Sequence, residues 1–152
     1  MRKLITMGAV ALALAALPVA SFAAELVKKQ SPHSVTETLD RLETVLKEED
    51  ITVMARVDHG ANADKVGMQL RPTQLLIFGK PERGTRLMQE DQTVGIDLPM
   101  KVLAWEDQAG QVWIVYEKPE AIASERGITG AADVVQTMSK GLDNLTDAAV
   151  KQ

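Results

Sequence analysis

Apolar residues recur along this chain with two different periods, and the switches between them mark its elements. Val35, Leu39, Leu42 and Leu46 line one face of a helix. Ser34-Val35-Thr36-Glu37 precedes them as a capping box, whose hydroxyl and carboxylate can each satisfy a free backbone N–H. Ile51, Val53, Ala55 and Val57 then alternate with Thr52, Met54, Arg56 and Asp58, the pattern of a half-buried strand. His59 to Val66 is a short helix that Gly67 ends, and Thr73 to Phe78 is a buried strand between Pro72 and Gly79. Lys80 to Gly84 reads as a loop, and Thr85 to Glu90 as one or two helical turns. Val102 to Glu106 and Gln111 to Glu117 are apolar runs joined by Asp107-Gln108-Ala109-Gly110, the mark of a β-hairpin. Val134, Met138, Leu142 and Leu145 make the stripe of a last helix within residues 131–150, interrupted by Gly141. Glu25 to Gln30 adds a first strand whose alternation Lys28 and Lys29 blur.

The order is therefore β-α-β-α-β-α-β-β-α. One hairpin combined with strands that alternate with helices predicts an α+β fold, a two-layer sandwich with a mixed or mainly antiparallel sheet. The stripe of the last helix is expected to pack on its own sheet, because left bare it would invite association.

The first residues follow neither period. Arg2 and Lys3 precede an uncharged apolar stretch from Leu4 to Ala20, and Ser21-Phe22-Ala23 sets small residues at the positions a signal peptidase reads. Residues 1–23 are expected to be a secretory signal peptide, and residues 24–152 a single domain in the periplasm with no stable membrane insertion. Removing Arg2 and Lys3 leaves 15 basic against 21 acidic residues, a net charge of −6. Such a domain is a poor nucleic-acid binder unless its basic residues cluster. The absence of cysteine excludes a disulfide, a thiolate metal site and a cysteine nucleophile.

Several residues fall into one ordered pattern. They are Asp58-His59 with Ala63 and Gly67, Leu70-Arg71-Pro72-Thr73, Phe78-Gly79-x-Pro81-x-x-Gly84-Thr85-x-Leu87-Met88, Asp97-Leu98-Pro99, and Tyr116 with Pro119. In these, residues 26–119 resemble the domain-of-unknown-function 302 family, and the last helix lies beyond the resemblance. The resemblance implies a compact α/β domain that forms a homodimer, and it implies no activity. Two positions depart from it. Lys80 stands where many members carry Asn, and Asp50 where many carry Gly. Asp tolerates the left-handed conformation better than most residues, so the turn after the first helix is expected to survive.

The strongest candidate site is the loop around Gly79, Lys80, Arg83, Gly84, Thr85 and Arg86. Its glycines free the backbone, and Gly84-Thr85 is expected to open a helix whose N–H groups favour an anion. Three cations within seven residues stand out in an acidic chain. Arg71, His59 and Tyr116 are expected to join them around a pocket for a small anion. No phosphate-loop motif is present. The expected function is non-enzymatic ligand binding or protein interaction, with no cofactor. Two alternatives compete with it. His59 with Met54 or Met68 would suit haem or copper, although the scattered methionines fit core filling better. His59 or a carboxylate pair, Asp58 with Asp64 or Glu106 with Asp107, would suit general acid–base catalysis. No serine elbow is present. Trp105 and Trp113 are expected to pair across the hairpin.

Overall fold

The structure, a computed structural model, describes residues 25–152. The expected signal peptide at residues 1–23 lies outside them.

Five strands form one sheet: β1 (Leu26–Ser31), β2 (Thr52–Asp58), β3 (Thr73–Gly79), β4 (Met100–Glu106) and β5 (Val112–Glu117). Their order is β1-β5-β4-β3-β2, and every neighbouring pair is antiparallel. The helices are α1 (Val35–Glu48), α2 (His59–Lys65), α3 (Pro81–Met88), α4 (Pro119–Glu125) and α5 (Ala132–Val150). The predicted order and the α+β class hold. Two further short helices appear, a 3-10 helix at Gln92–Ile96 between α3 and β4, and α4 between β5 and α5, started by Pro119 at its first position.

The period of two assigns each strand residue to a face. Leu76 and Phe78, Val102 and Ala104, and Ile114 and Tyr116 are buried on one face. The α1 stripe of Val35, Leu39, Leu42 and Leu46 packs there, beside Val134, Met138, Leu142 and Leu145 of α5. The last helix therefore covers its own sheet, as its stripe requires. On the opposite face Leu75, Ile77, Leu103 and Val115 stay half-buried.

Polar contacts fix the two helices. Ser34 caps α1 by accepting from the Glu37 N–H at 3.2 Å. The Glu37 carboxylate lies 3.1 Å from His33 Nδ1. Arg41 donates to the Ala149 and Lys151 carbonyls at 3.0 and 2.8 Å, which satisfies the end of α5. Buried Gln74 accepts from Arg56 Nε and Nη2 at 3.0 and 2.6 Å and donates to Asp58 and Thr36. Arg56 also reaches Asp40 and Glu43 on α1, at 2.6 and 3.1 Å.

Three helices end in the same way. After α2 and α4 the chain passes through Gly67 (φ 72°) and Gly127 (φ 65°). In each case the next N–H turns back to a carbonyl in the last turn, Met68 to Ala63 and Ile128 to Ala123. After α1 the left-handed residue is Asp50, at φ 53°. The Ile51 N–H returns to the Leu46 carbonyl at 2.8 Å, so the turn survives without glycine. A side chain in this region costs about 1–2 kcal/mol for most residues and less for Asp. Asp50→Gly should therefore raise unfolding stability by about 0.5–1 kcal/mol, read from the urea midpoint. An unchanged or lower midpoint would show that the Asp50 side chain stabilises the turn by another route.

Candidate functional site

β3 ends at Gly79, and the chain turns at once into α3. Pro81 occupies the first helical position, and Lys80 before it is extended. The helix thus starts at Pro81 and not at Thr85. The Gly84 N–H already donates to the Lys80 carbonyl at 3.3 Å. The expectation that Gly84-Thr85 opens a helix with free amides is corrected. Proline's fixed φ and missing N–H suit the first position, so the helix begins there and encloses both residues.

Between α3, α5 and the adjoining ends of β3 and β4 lies a cavity of about 350 Å³. Gly79, Lys80, Arg83, Gly84 and Thr85 all line it, so the structure brings five of the predicted residues together. Its walls are otherwise apolar, with Phe78, Leu98, Leu142 and Leu145 joined by Met54, Met88, Met100 and Met138. Four of the five methionines after residue 23 therefore meet at one place. Core filling accounts for Met100 and Met138, which are buried, but Met54 is 48% exposed. Among the described residues, Lys80 and Arg83 are the only charged ones that line the cavity.

The cations of this region differ in their partners. Arg86 turns away from the cavity and grips Asp133 of α5 through both oxygens, at 2.9 and 3.2 Å. That guanidinium holds the Asp133 carboxyl below its usual range. Lys101 donates to the Asp97 and Pro99 carbonyls at 2.7 and 3.0 Å. Arg126 binds Asp97 at 2.8 Å. Among the described residues, the side chains of Lys80 and Arg83 have no such acceptor. Arg83 Nη1 lies 3.9 Å from where a Cβ on Gly141 would stand. A side chain on the glycine that interrupts the α5 stripe would thus begin in ordinary van der Waals contact with the guanidinium.

The other predicted residues lie elsewhere, and the single pocket expected to include His59, Arg71, Arg86 and Tyr116 is corrected. His59 opens α2 and Arg71 precedes β3, so both stand at the far end of β3, about 20 Å from Gly79 by strand rise. Arg71 Nε is engaged by the Glu106 carbonyl at 3.0 Å. Tyr116 is buried beneath α5, where its hydroxyl lies 3.5 Å from Asp143 Oδ1. His59 and Met54 are separated by roughly 15 Å of β2, and Met68 follows the far end of α2 at 66% exposure. Met54 and His59 are therefore not brought together. Among the described residues no group of three His, Asp or Glu side chains converges as a metal site.

Two of the carboxylates considered as acids and bases, Asp58 and Asp107, have structural partners. Asp58 caps α2 by accepting from the Ala61 N–H at 2.8 Å, and its other oxygen accepts from Gln74. Asp107 closes the hairpin, accepting from the Ala109 and Gln111 N–H groups at 2.9 and 3.0 Å. Trp113 Nε1 donates to Asp107 at 2.8 Å, and this bond, with the two amides, holds the carboxyl below its ordinary range.

The residues missed by sequence reasoning are Met88, Leu98, Met138, Gly141, Leu142 and Leu145. Those on α5 form the packing stripe itself, and nothing in its spacing distinguishes a wall from a core. Gly141 carried a signal, as a helix-weakening residue placed within an apolar stripe.

On the opposite sheet face Trp105 and Trp113 stand directly across the hairpin, as expected. Lys28 Nζ lies 3.7 Å from the Trp113 ring centre and 5.0 Å from that of Trp105, within cation–π range.

A one-sided antiparallel sheet with two helices across it and a cavity at one end defines a small α+β domain. The family model described as "Domain of unknown function DUF302" matches residues 27–145. The chain belongs to that family. The match reaches into α5, so the resemblance extends beyond residue 119 and includes the helix that walls the cavity. A crystal structure of an uncharacterized conserved DUF302 protein from Bacillus stearothermophilus shares the fold. It superposes with a TM-score of 0.75 at 22% identity, over 84% of this chain and 99% of that one. The chain is also 42% identical, over 125 residues, to two proteins named fluoride-specific ion channel FluC 1, from Brucella suis and Brucella abortus. Those residues are 82% of this chain and 49% and 46% of theirs, so the chain spans about half the length of these curated relatives.

Charge also holds β1 to α5. Lys29 Nζ lies 2.7 Å from Asp143 Oδ1 and 2.6 Å from Asp147 Oδ1. Burial pulls the Lys29 pKa down, but hydrogen bonds to Asp143 and Asp147 outweigh it and leave the pKa raised. The same ammonium lowers the Asp143 pKa. A carboxyl with a depressed folded pKa stabilises above its unfolded pKa, and loses that contribution as pH falls through the folded value. Asp143→Asn should therefore lower stability near neutrality, by at most about 1 kcal/mol for so exposed a carboxylate. The deficit should shrink below pH ~4. Urea unfolding at several pH values reads both effects, and a deficit that stays constant into acid would exclude the ion pair as its source.

Proposed function

We propose that this protein is a non-enzymatic ligand-binding protein whose site is the cavity between α3 and α5. The observation that carries the reading is the make-up of that cavity. Apolar walls of about 350 Å³ meet two cations that lack acceptors among the described residues. This volume is within the range of small-molecule sites, which are mostly apolar with a few placed polar groups. The flexible, polarizable thioethers of Met54, Met88 and Met138 can repack around a guest. A reading as an enzyme, or as a haem or copper protein, has less support. His59 stands at the other end of β3, Asp58 and Asp107 are engaged in structural turns, and Met54 is far from His59.

The apolar signal-like residues 1–23 support a periplasmic site of action. We do not carry ion conduction over from the Brucella relatives. The match covers about half of them.

An environment-sensitive apolar dye such as anilinonaphthalene sulfonate should bind one site per chain with enhanced fluorescence. Gly141→Leu would fill the space beside Arg83 while improving helix propensity by up to about 1 kcal/mol. It should weaken the dye at least tenfold with the thermal midpoint unchanged or raised. Undiminished binding to that variant would place the dye outside the cavity.

A homodimer is the second part of the proposal. The uncovered sheet face supports it, with Leu75, Ile77, Leu103 and Val115 half-buried along its centre. Such a face, joined to the Trp105–Trp113 pair, is a patch that soluble proteins usually cover. A second copy is the occupant that family resemblance favours. Sedimentation should give twice the monomer mass, and Leu103→Lys should return it to one. A monomer at high micromolar concentration would remove this part alone.

A further inference from the structure

Granting that the cavity is a binding site, we infer that its ligand is an acyl carboxylate, an unbranched apolar chain with one terminal anion. Three observations meet in this class. The wall is carbon and thioether, with Met54, Met88, Met138 and Leu142 among its side chains. Such a wall offers a free inorganic ion no hydrogen bonds, but it suits a chain. Methionines adapt to chains of differing length without a fixed shape.

The charged groups are of one sign and at one place. Lys80 and Arg83 line the cavity from adjoining positions at the start of α3, and no Asp or Glu lines it with them. In a domain with more acidic than basic residues this selection matters. Neighbouring Arg86 and Arg126 are matched by Asp133 and Asp97, whereas these two cations are left without an acceptor among the described residues. An arginine fork with a lysine point charge can take the two oxygens of one carboxylate.

The head also has room. Gly141 carries no side chain where Arg83 approaches α5, at 3.9 Å from the position of a Cβ. A Cβ there would stand in ordinary van der Waals contact with the guanidinium, so a long side chain at this position would compete with a carboxylate for the same face of Arg83.

The test is calorimetric titration of the protein with hexanoate, octanoate and decanoate, beside 1-decanol, acetate and inorganic phosphate. Each added methylene should tighten carboxylate binding about fourfold, the factor that corresponds to about 0.8 kcal/mol per buried CH₂. Acetate and phosphate should show no binding at millimolar concentration. Decanoate should bind at least tenfold more tightly than 1-decanol. Lys80→Gln with Arg83→Gln should remove that advantage and leave 1-decanol unchanged. Both positions are only partly buried, and the chain-length series needs no variant, so a folding defect cannot imitate the result.

If decanol binds as well as decanoate, the inference falls and the cavity reading stands. Phosphate binding without dependence on chain length would also overturn it, in favour of a small inorganic anion. If no probe binds and the dye finds no site, the cavity reading falls with it.

Discussion

The structure depends on how α5 is held across the sheet. An antiparallel sheet has two faces, and this one buries only one of them, so its stability rests on the helices laid there. α5 is the longer of the two that do so, and it carries Val134, Met138, Leu142 and Leu145 into the core. Directional contacts fix it along its length. Asp133 meets Arg86 of α3, Asp143 and Asp147 meet Lys29 of β1, and the terminal carbonyls meet Arg41 of α1. Each exposed pair is individually weak. Together they set the axial position of a helix whose apolar stripe alone would tolerate sliding. The cavity inherits this precision, because one wall of it is α5.

The fold was largely legible in the sequence for a physical reason. Strands and helices that bury one face must carry one period, and the Val35–Leu46 stripe left no competing reading; the Ile51–Asp58 alternation located β2 but not its burial, because β2 is an edge strand with a bulge at Met54 and no buried residue. Local chemistry was legible where it acts within a few residues, as at the Ser34 cap, the Asp107–Gly110 turn and the left-handed Asp50. What was not legible were distances between elements. His59, Arg71 and the Gly79 loop share one pattern of residues, yet β3 holds the first two at one end and the third at the other. α4 was missed because Pro119 starts a helix as readily as it ends a strand, and seven residues show no full stripe.

The site was half legible for the same reason. Gly79, Lys80, Arg83, Gly84 and Thr85 are neighbours in sequence, and one turn brings them to one cavity. The walls come from β2, β4, the segment before β4 and α5. Their common feature is methionine, read singly as filler and meaningful only once four of them meet. Gly141 is the instructive case. Within a helix it lowers stability, and sequence reasoning registered only that loss. Arg83 gives the position a context, since its guanidinium lies at van der Waals distance from where a Gly141 side chain would begin.

The two ends of the sheet show where the protein tolerates unsatisfied groups. At the end where β2 and α2 meet, Arg56 is surrounded by Gln74, Asp40, Glu43 and the Thr36 carbonyl, and Asp58 serves both a cap and an amide. Polar groups there are matched within the chain, which rigidifies the end and leaves little for a ligand to gain. At the opposite end apolar walls stay open and two cations stay unmatched. An uncompensated charge beside apolar surface destabilises the free protein, and an anion with an apolar body relieves both at once. A guest that supplies only charge, or only carbon, relieves half. That asymmetry between the ends, more than any single residue, supports the proposed site at the Gly79 end of β3.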